Sequence, residues 1–260
     1  MPVTPRNKVL ANPELRRRGI YLLPNLFTTA SLFGGFYAIV QAMNERFEIA
    51  VVAIFISMVL DGLDGRVARL THTQSAFGAE YDSLSDMVAF GVAPALIAYE
   101  WALKGMGKLG WIAAFIYCVG AALRLARFNT QIDAGGDRRF FQGLPSPAAA
   151  ALNAGLVWVL IDYGVTGEEA RWFVCGLTIF AGLTMVSNVP YYSGKDINLR
   201  RSVPFIVVAG IALFFALVSS YPPGVLFALF LGYAISGYVF SAWRWMQRRK
   251  ATTAQQEQKV

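Results

Sequence analysis

The chain alternates long apolar runs with short polar segments over almost its whole length. Each apolar run approaches the roughly 20 residues that a helix needs to cross the hydrocarbon core of a membrane. We therefore predict eight membrane-spanning helices, at about residues 21–43, 48–68, 84–103, 109–127, 146–162, 171–188, 203–219 and 223–245. The number falls to seven if the short run at 146–162 enters and leaves the membrane on the same side.

The composition agrees with an all-α polytopic membrane protein. Hydrophobic residues make up 56% of the chain, charged residues make up only 15%, and the mean hydropathy is +0.47. These values exclude an ordinary soluble domain.

The positive charges of the loops predict the orientation, because lysine and arginine are retained on the cytoplasmic side during insertion. With the N-terminus inside, few of the 23 basic residues fall in outer segments, namely Arg46, Lys104, Lys108 and Arg171. We therefore expect both termini to be cytoplasmic. Since no targeting signal is evident, we expect a bacterial inner membrane. The net charge of +7 is dispersed among loops, which does not favour nucleic-acid binding.

Four of the sixteen acidic residues are regularly spaced around the second inner loop, at Asp61, Asp64, Asp82 and Asp86. Spacings of three and four residues place each pair on one helix face. A short loop between the pairs would return the chain, so the four carboxylates can converge between two neighbouring helices. Since an aspartate at membrane depth costs about 2.5–3.5 kcal/mol, a purely structural role is hard to explain.

A divalent cation would remove the repulsion among four close carboxylates. Oxygen ligands without histidine or cysteine favour Mg²⁺, Mn²⁺ or Ca²⁺ over zinc. Four carboxylates are enough for two ions, an arrangement that stabilises the attacking and leaving oxygens in phosphoryl transfer.

Small and basic residues beside the aspartates favour a phosphorylated ligand. Bare backbone at Gly65 and Gly78 would let such a ligand approach closely, and Arg69 lies one turn beyond Gly65, where it could pair with phosphate. The alternative is that the glycines serve helix packing and that the arginines only mark the cytoplasmic side.

These residues form the pattern DxxDGxxAR, then eight residues, then GxxxDxxxD, over 61–86. The pattern resembles, without a departure, the signature of the CDP-alcohol phosphatidyltransferase family. The resemblance implies that an alcohol attacks the β-phosphate of a CDP-activated lipid and expels CMP. It also implies that Asp61 and Asp82 bridge two Mg²⁺ or Mn²⁺ ions, that Asp64 binds one ion, and that Asp86 binds the other and acts as the base.

The resemblance implies a donor site as well. Gly65, Arg69 and Ser75 would contact the CDP part of CDP-diacylglycerol, Gly78 would line the nucleotide pocket, and Asn25 in the first span would approach the donor. A homodimer is expected, as in relatives. The expected layout is a cytoplasmic segment at 1–20, a catalytic core at 21–200, a C-terminal helix pair at 201–246 and a polar cytoplasmic tail at 247–260.

Three further stretches, at 124–130, 141–150 and 186–196, resemble the subgroup of this family whose acceptor is L-serine. The carboxylate of serine needs a cation, and Arg124 and Arg127 share one helix face near the site. Asn129 is a weaker candidate for the same contact. Glycerol 3-phosphate or another alcohol is the alternative acceptor, and a divalent cation carrier without enzymatic activity is a more distant alternative.

Overall fold

The computed structural model describes residues 13–71, 73, 75–132, 140–192 and 205–257. The predicted N-terminal segment up to residue 12 and the last part of the predicted tail, 258–260, lie outside the described residues. The helices, numbered in chain order, are α1 Pro13–Met43, α2 Phe47–Thr71, α3 Ala76–Met106, α4 Lys108–Ile132, α5 Ser146–Asp162, α6 Gly167–Val186, α7 Phe205–Ser220 and α8 Pro222–Glu257.

Each of the predicted apolar runs lies in one of these helices or overlaps one over most of its length, so the prediction of an all-α membrane protein is confirmed. Within the described residues, five stretches are long and apolar enough to cross a membrane: Pro24–Met43, Ala76–Met106, Lys108–Thr130, Gly167–Val186 and Pro222–Gln247. Helix α5 and the part of α7 at Val207–Ser220 are apolar but shorter. The apolar part of α2 ends at Leu60, directly before the first aspartates. The number of eight spans therefore stays a prediction.

The helices pack closely because small residues line their contacts. A side chain at Gly35 would place its Cβ 2.5 Å from Ala89 Cα, so α1 and α3 touch through backbone at this point. A Cβ at Gly120 would lie 2.3 Å from the carbonyl oxygen of Gly182, which brings α4 and α6 equally close. Such contacts are typical of membrane helices, which associate through van der Waals packing.

Helix α3 begins before the predicted span because its polar first turns are capped. The Ser75 hydroxyl accepts a hydrogen bond of 3.0 Å from the Gly78 backbone N–H. The prediction started this span at residue 84, because apolar character alone does not detect a polar extension of the same helix. As a result, Asp82 and Asp86 stand on a continuous helix that enters the membrane.

Two wide turns interrupt the regular geometry of α3. The backbone forms π-helix over Met87–Val92 and again over Tyr99–Leu103. Buried side chains bind nearby carbonyl groups: the Tyr117 hydroxyl donates to Phe90 O at 3.0 Å, and Asn153 Nδ2 donates to Pro94 O at 3.2 Å. The first wide turn starts directly after Asp86, so the site stands at a change of helix geometry.

A short antiparallel sheet, which the sequence did not predict, joins the ends of α4 and α6. Strand β1, Phe140–Gln142, pairs with β2, Pro190–Tyr192, so that Phe141 faces Tyr191. Tyr191 is fully buried, and its hydroxyl donates a hydrogen bond of 2.8 Å to Ala234 O. The sheet therefore attaches α8 to the rest of the helical core.

Candidate active site

The four aspartates predicted as a cluster meet where α2 ends and α3 begins. Carboxylate oxygens of Asp61, Asp64 and Asp82 lie within 4.8 Å of one another. The carboxyl group of Asp86, one turn beyond Asp82 on α3, is close enough to interact with those of Asp61 and Asp82. The structure thus brings together all four carboxylates that the spacing had paired.

The environment of this cluster fits a divalent cation. Within the described residues, the buried oxygens Asp82 Oδ1 and Asp86 Oδ1 have no hydrogen-bond donor. Arg124 is close enough to interact electrostatically with Asp61 and Asp86, but one guanidinium cannot balance four carboxylates. Buried oxygens without donors and an excess of negative charge are what hard cations satisfy. The cluster could therefore bind a divalent metal ion.

Thr28 of α1 orients one of these carboxylates, and the sequence analysis missed it. Its side chain is 4% exposed, and its hydroxyl oxygen lies 2.8 Å from Asp64 Oδ2 and 3.1 Å from Pro24 O. Ser85 donates to the Thr28 carbonyl oxygen at 3.1 Å, which fixes this part of α1 against α3. A threonine in a membrane helix commonly binds the carbonyl four residues earlier, so Thr28 could not be recognised as a partner of Asp64 from the sequence.

Replacing Thr28 by valine should weaken Mn²⁺ binding about tenfold, because partners that orient metal ligands typically contribute 10–100-fold to affinity. Valine keeps the shape but removes the hydroxyl that holds Asp64. Electron paramagnetic resonance of Mn²⁺ added to the substrate-free protein measures the affinity directly. Thr29→Val is the matched control, since Thr29 contacts Asn25 and Tyr81 instead. Equal affinities in the two variants would contradict this role of Thr28.

A cavity of about 390 Å³ adjoins the cluster. All five residues of the predicted donor site line it: Asn25, Gly65, Arg69, Ser75 and Gly78. Asp64 and Asp82 line the same cavity, so carboxylates and the Arg69 side chain border one space. A ligand that carries phosphate could contact both a metal ion at the aspartates and a guanidinium within this space.

The surroundings of the two glycines distinguish between the two explanations given for them. A Cβ at Gly65 would meet only Arg69 Nη2, at 4.0 Å, among the described residues. A Cβ at Gly78 would meet Ser75 Oγ at 3.1 Å and Asn25 Oδ1 at 3.6 Å, and both atoms belong to cavity residues. Among the described residues, neither glycine packs against the backbone of another helix, which favours room for a ligand over helix packing.

The three residues predicted to contact the acceptor have different environments. Arg124, which is 9% exposed, donates from Nη1 to the hydroxyl oxygen of the buried Ser146. Arg127 Nη1 instead binds Ser187 O and Asn188 Oδ1, both at 3.3 Å, in the segment after α6. Asn129 Nδ2 donates to Ser83 Oγ at 3.0 Å, between the two aspartates of α3. Only Arg124 therefore combines burial with proximity to Asp61 and Asp86.

These features describe an integral membrane protein with a carboxylate cluster that could bind metal where α2 ends and α3 begins. A family model described as CDP-alcohol phosphatidyltransferase matches residues 21–183. The chain belongs to this family, so the resemblance seen in the sequence is confirmed. The matched range contains the four aspartates, the five cavity residues of the donor site and Arg124, whereas β2, α7 and α8 lie beyond it.

Several curated relatives carry the name CDP-diacylglycerol–serine O-phosphatidyltransferase. The protein of Helicobacter pylori strain J99 is 40% identical over 227 residues, which cover 85% of this chain and 92% of the relative. The protein of Mycobacterium leprae is 34% identical over 228 residues, or 86% and 76% of the two chains. The protein of Methanocaldococcus jannaschii is 38% identical over 188 residues, or 72% and 81%.

Proposed function

We propose that this protein transfers the phosphatidyl group of CDP-diacylglycerol to the hydroxyl of L-serine, which yields phosphatidylserine and CMP. The observation that carries the proposal is the cluster of Asp61, Asp64 and Asp82, with Asp86 beside it, next to a cavity lined by Gly65 and Arg69. The names of relatives from bacteria and an archaeon supply the donor and the acceptor. Family membership supports the same chemistry.

The aspartates would hold two divalent cations, Mg²⁺ or Mn²⁺, with Asp61 and Asp82 shared, Asp64 on one ion and Asp86 on the other. When bound, the ions would neutralise the charge that develops on the leaving phosphate. The Arg69 guanidinium would pair with a phosphate of the donor, while Gly65, Ser75, Gly78 and Asn25 would leave room for its CDP part and contact it.

Asp86 would accept the proton of the serine hydroxyl as that oxygen forms its bond to the β-phosphorus. The bond between this phosphorus and the bridging oxygen breaks, and CMP leaves with the electron pair. A carboxylate in a buried position is suited to this step, since bulk water is excluded from the acceptor. Arg124, which lies near Asp86, would bind the carboxylate of serine.

We further propose that the protein is a homodimer in a bacterial inner membrane, with both termini and the site on the cytoplasmic side. The distribution of lysine and arginine supports this orientation. The cytoplasmic side would also let soluble serine and CMP meet a lipid whose chains remain in the bilayer. Exposed apolar residues of α7 and α8, among them Leu213, Phe215 and Val239, could serve a subunit contact.

Release of CMP tests the proposed function. Purified protein with Mn²⁺ or Mg²⁺ receives CDP-diacylglycerol and, in separate reactions, serine, glycerol 3-phosphate or inositol. We expect CMP release only in the reaction that contains serine together with CDP-diacylglycerol. CMP release only with glycerol 3-phosphate or inositol would support phosphatidyl transfer but contradict serine as the acceptor. No release with any alcohol would contradict the proposed enzymatic activity. Nucleotide-independent uptake of Mn²⁺ into liposomes by the same preparation would instead identify a cation carrier.

A further inference from the structure

Within the part of the chain that the structure describes, the Arg124 guanidinium makes one hydrogen bond although it has several donors. A guanidinium carries five N–H groups, and within the described residues the only hydrogen bond of this side chain goes from Nη1 to Ser146 Oγ. The side chain is 9% exposed, so the surrounding protein screens the remaining donors from bulk water. Asp61 and Asp86 lie near enough to interact with its charge. These N–H groups are therefore available to an anionic group beside Asp86.

Ser146 is a rigidly held hydrogen-bond acceptor for the Arg124 side chain. It is fully buried at the first position of α5, between Pro145 and Pro147, whose rings restrict the backbone. The preceding Leu144 is also fully buried, and its N–H donates to Thr184 O at 3.1 Å. A hydroxyl on such rigid backbone can hold the long side chain of Arg124 in one conformation, which removes much of its entropy before a ligand arrives.

Arg127 has a different set of contacts, although it stands one turn from Arg124 on the same helix. Its Nη1 binds Ser187 O and Asn188 Oδ1, each at 3.3 Å. These residues lead from α6 into β2, which pairs with β1. Arg127 thus connects α4 to the segment that leads into the sheet. Arg124 instead connects α4 to the first residue of α5 and interacts electrostatically with Asp61 and Asp86.

From these contacts, and resting on the proposed function, we infer that Ser146 is a positioning residue for the acceptor. Ser146 fixes the Arg124 guanidinium beside Asp86, and Arg124 then binds the acceptor carboxylate while the acceptor hydroxyl faces Asp86. Arg127 holds the segment after α6 and does not contact the acceptor. The two arginines that the sequence presents as equivalent therefore have separate roles.

Steady-state kinetics of Ser146→Ala tests this inference. A hydrogen bond to a charged group is lost, so the KM for serine should rise about tenfold or more. The KM for CDP-diacylglycerol should stay unchanged, because Ser146 is not among the residues that line the donor cavity. Ser146→Thr keeps the hydroxyl and should restore a KM for serine near the wild-type value. If Ser146→Ala does not fold, Ser146→Cys, of similar size but a weaker acceptor, should show the same selective rise.

Ser57→Ala is the matched control. Ser57 is also fully buried, and its hydroxyl donates to Ala53 O at 2.9 Å within α2. The inference is overturned if Ser146→Ala behaves like Ser57→Ala, or if the KM values for serine and CDP-diacylglycerol rise together. A rise in the KM for serine in Arg127→Ala equal to that in Ser146→Ala would overturn the division between the arginines. Absence of serine-dependent CMP release in the wild type would instead contradict the proposed function.

Discussion

Replacing Asp86 by asparagine should lower the rate of serine-dependent CMP release by about 10²–10⁴-fold, the usual contribution of a positioned general base. Asparagine has nearly the same shape, but its amide cannot take the proton of the acceptor hydroxyl. It also removes one negative charge beside Asp61, so the rest of the cluster is relieved of repulsion and the fold should persist. Rates measured at saturating serine and CDP-diacylglycerol separate this loss from weakened binding.

The control for this variant is Glu80→Gln, the same change of charge on an exposed position of α3. Glu80 lies on the same helix as Asp86 but is not among the residues of the cluster. We expect its rate to equal that of the wild type. Asp86→Asn with a rate close to that of Glu80→Gln would rule out Asp86 as the base and leave the carboxylates with a metal-binding or structural role only.

Removing divalent cations with a chelator should abolish CMP release, and adding Mn²⁺ or Mg²⁺ should restore it. The physical reason is that the carboxylates of Asp61, Asp64 and Asp82 lie within 4.8 Å of one another in a partly buried site and need a counter-charge there. Without the ion, the donor phosphates would meet carboxylates of the same charge. The measurement is the initial rate before chelation, after chelation and after each metal is returned.

A binding measurement separates the site from the reaction. Ligands that bind only the folded state raise its stability, so Mn²⁺ should raise the melting temperature of the substrate-free protein. Asp61→Asn and Asp82→Asn should each remove most of this shift, while Glu80→Gln should keep it. Full activity in the presence of excess chelator, or an undiminished shift in both aspartate variants, would contradict a metal site at this cluster.

The helical fold could be predicted from the sequence because the hydrocarbon core of a membrane offers no hydrogen-bond partners to the backbone. Backbone groups in the hydrocarbon core must be satisfied internally, so every long apolar run becomes a helix. The proximity of the four aspartates followed from the same rule. Because the loop between α2 and α3 is short, the end of α2 must lie beside the start of α3. Spacing on each helix then placed Asp61 with Asp64 and Asp82 with Asp86.

Contacts between distant segments could not be predicted in this way. Thr28 and Ser146 are ordinary membrane-helix residues in the sequence, and only the packing of α1 against α2 and of α5 against α4 brings them to Asp64 and Arg124. The strands β1 and β2 are three residues each and far apart in sequence, so no alternating pattern marks them. Arg124 and Arg127 differ for the same reason: the partner of Arg124 begins α5, whereas the partners of Arg127 lie in the segment after α6.

The π-helical turn at Met87–Val92 determines how the part of α3 that carries the aspartates is rotated relative to the apolar part that follows. An α-helix advances by about 100° per residue, so the number of residues between Asp86 and Ala93 determines which way the carboxylates point when the apolar half is seated among its neighbours. Loss of one residue from this turn would rotate Asp82 and Asp86 by about a quarter of a revolution away from α2, although every reactive group would still be present. The number of residues in this turn is therefore as necessary for activity as the aspartates themselves. A one-residue deletion there should lower activity as much as the loss of an aspartate.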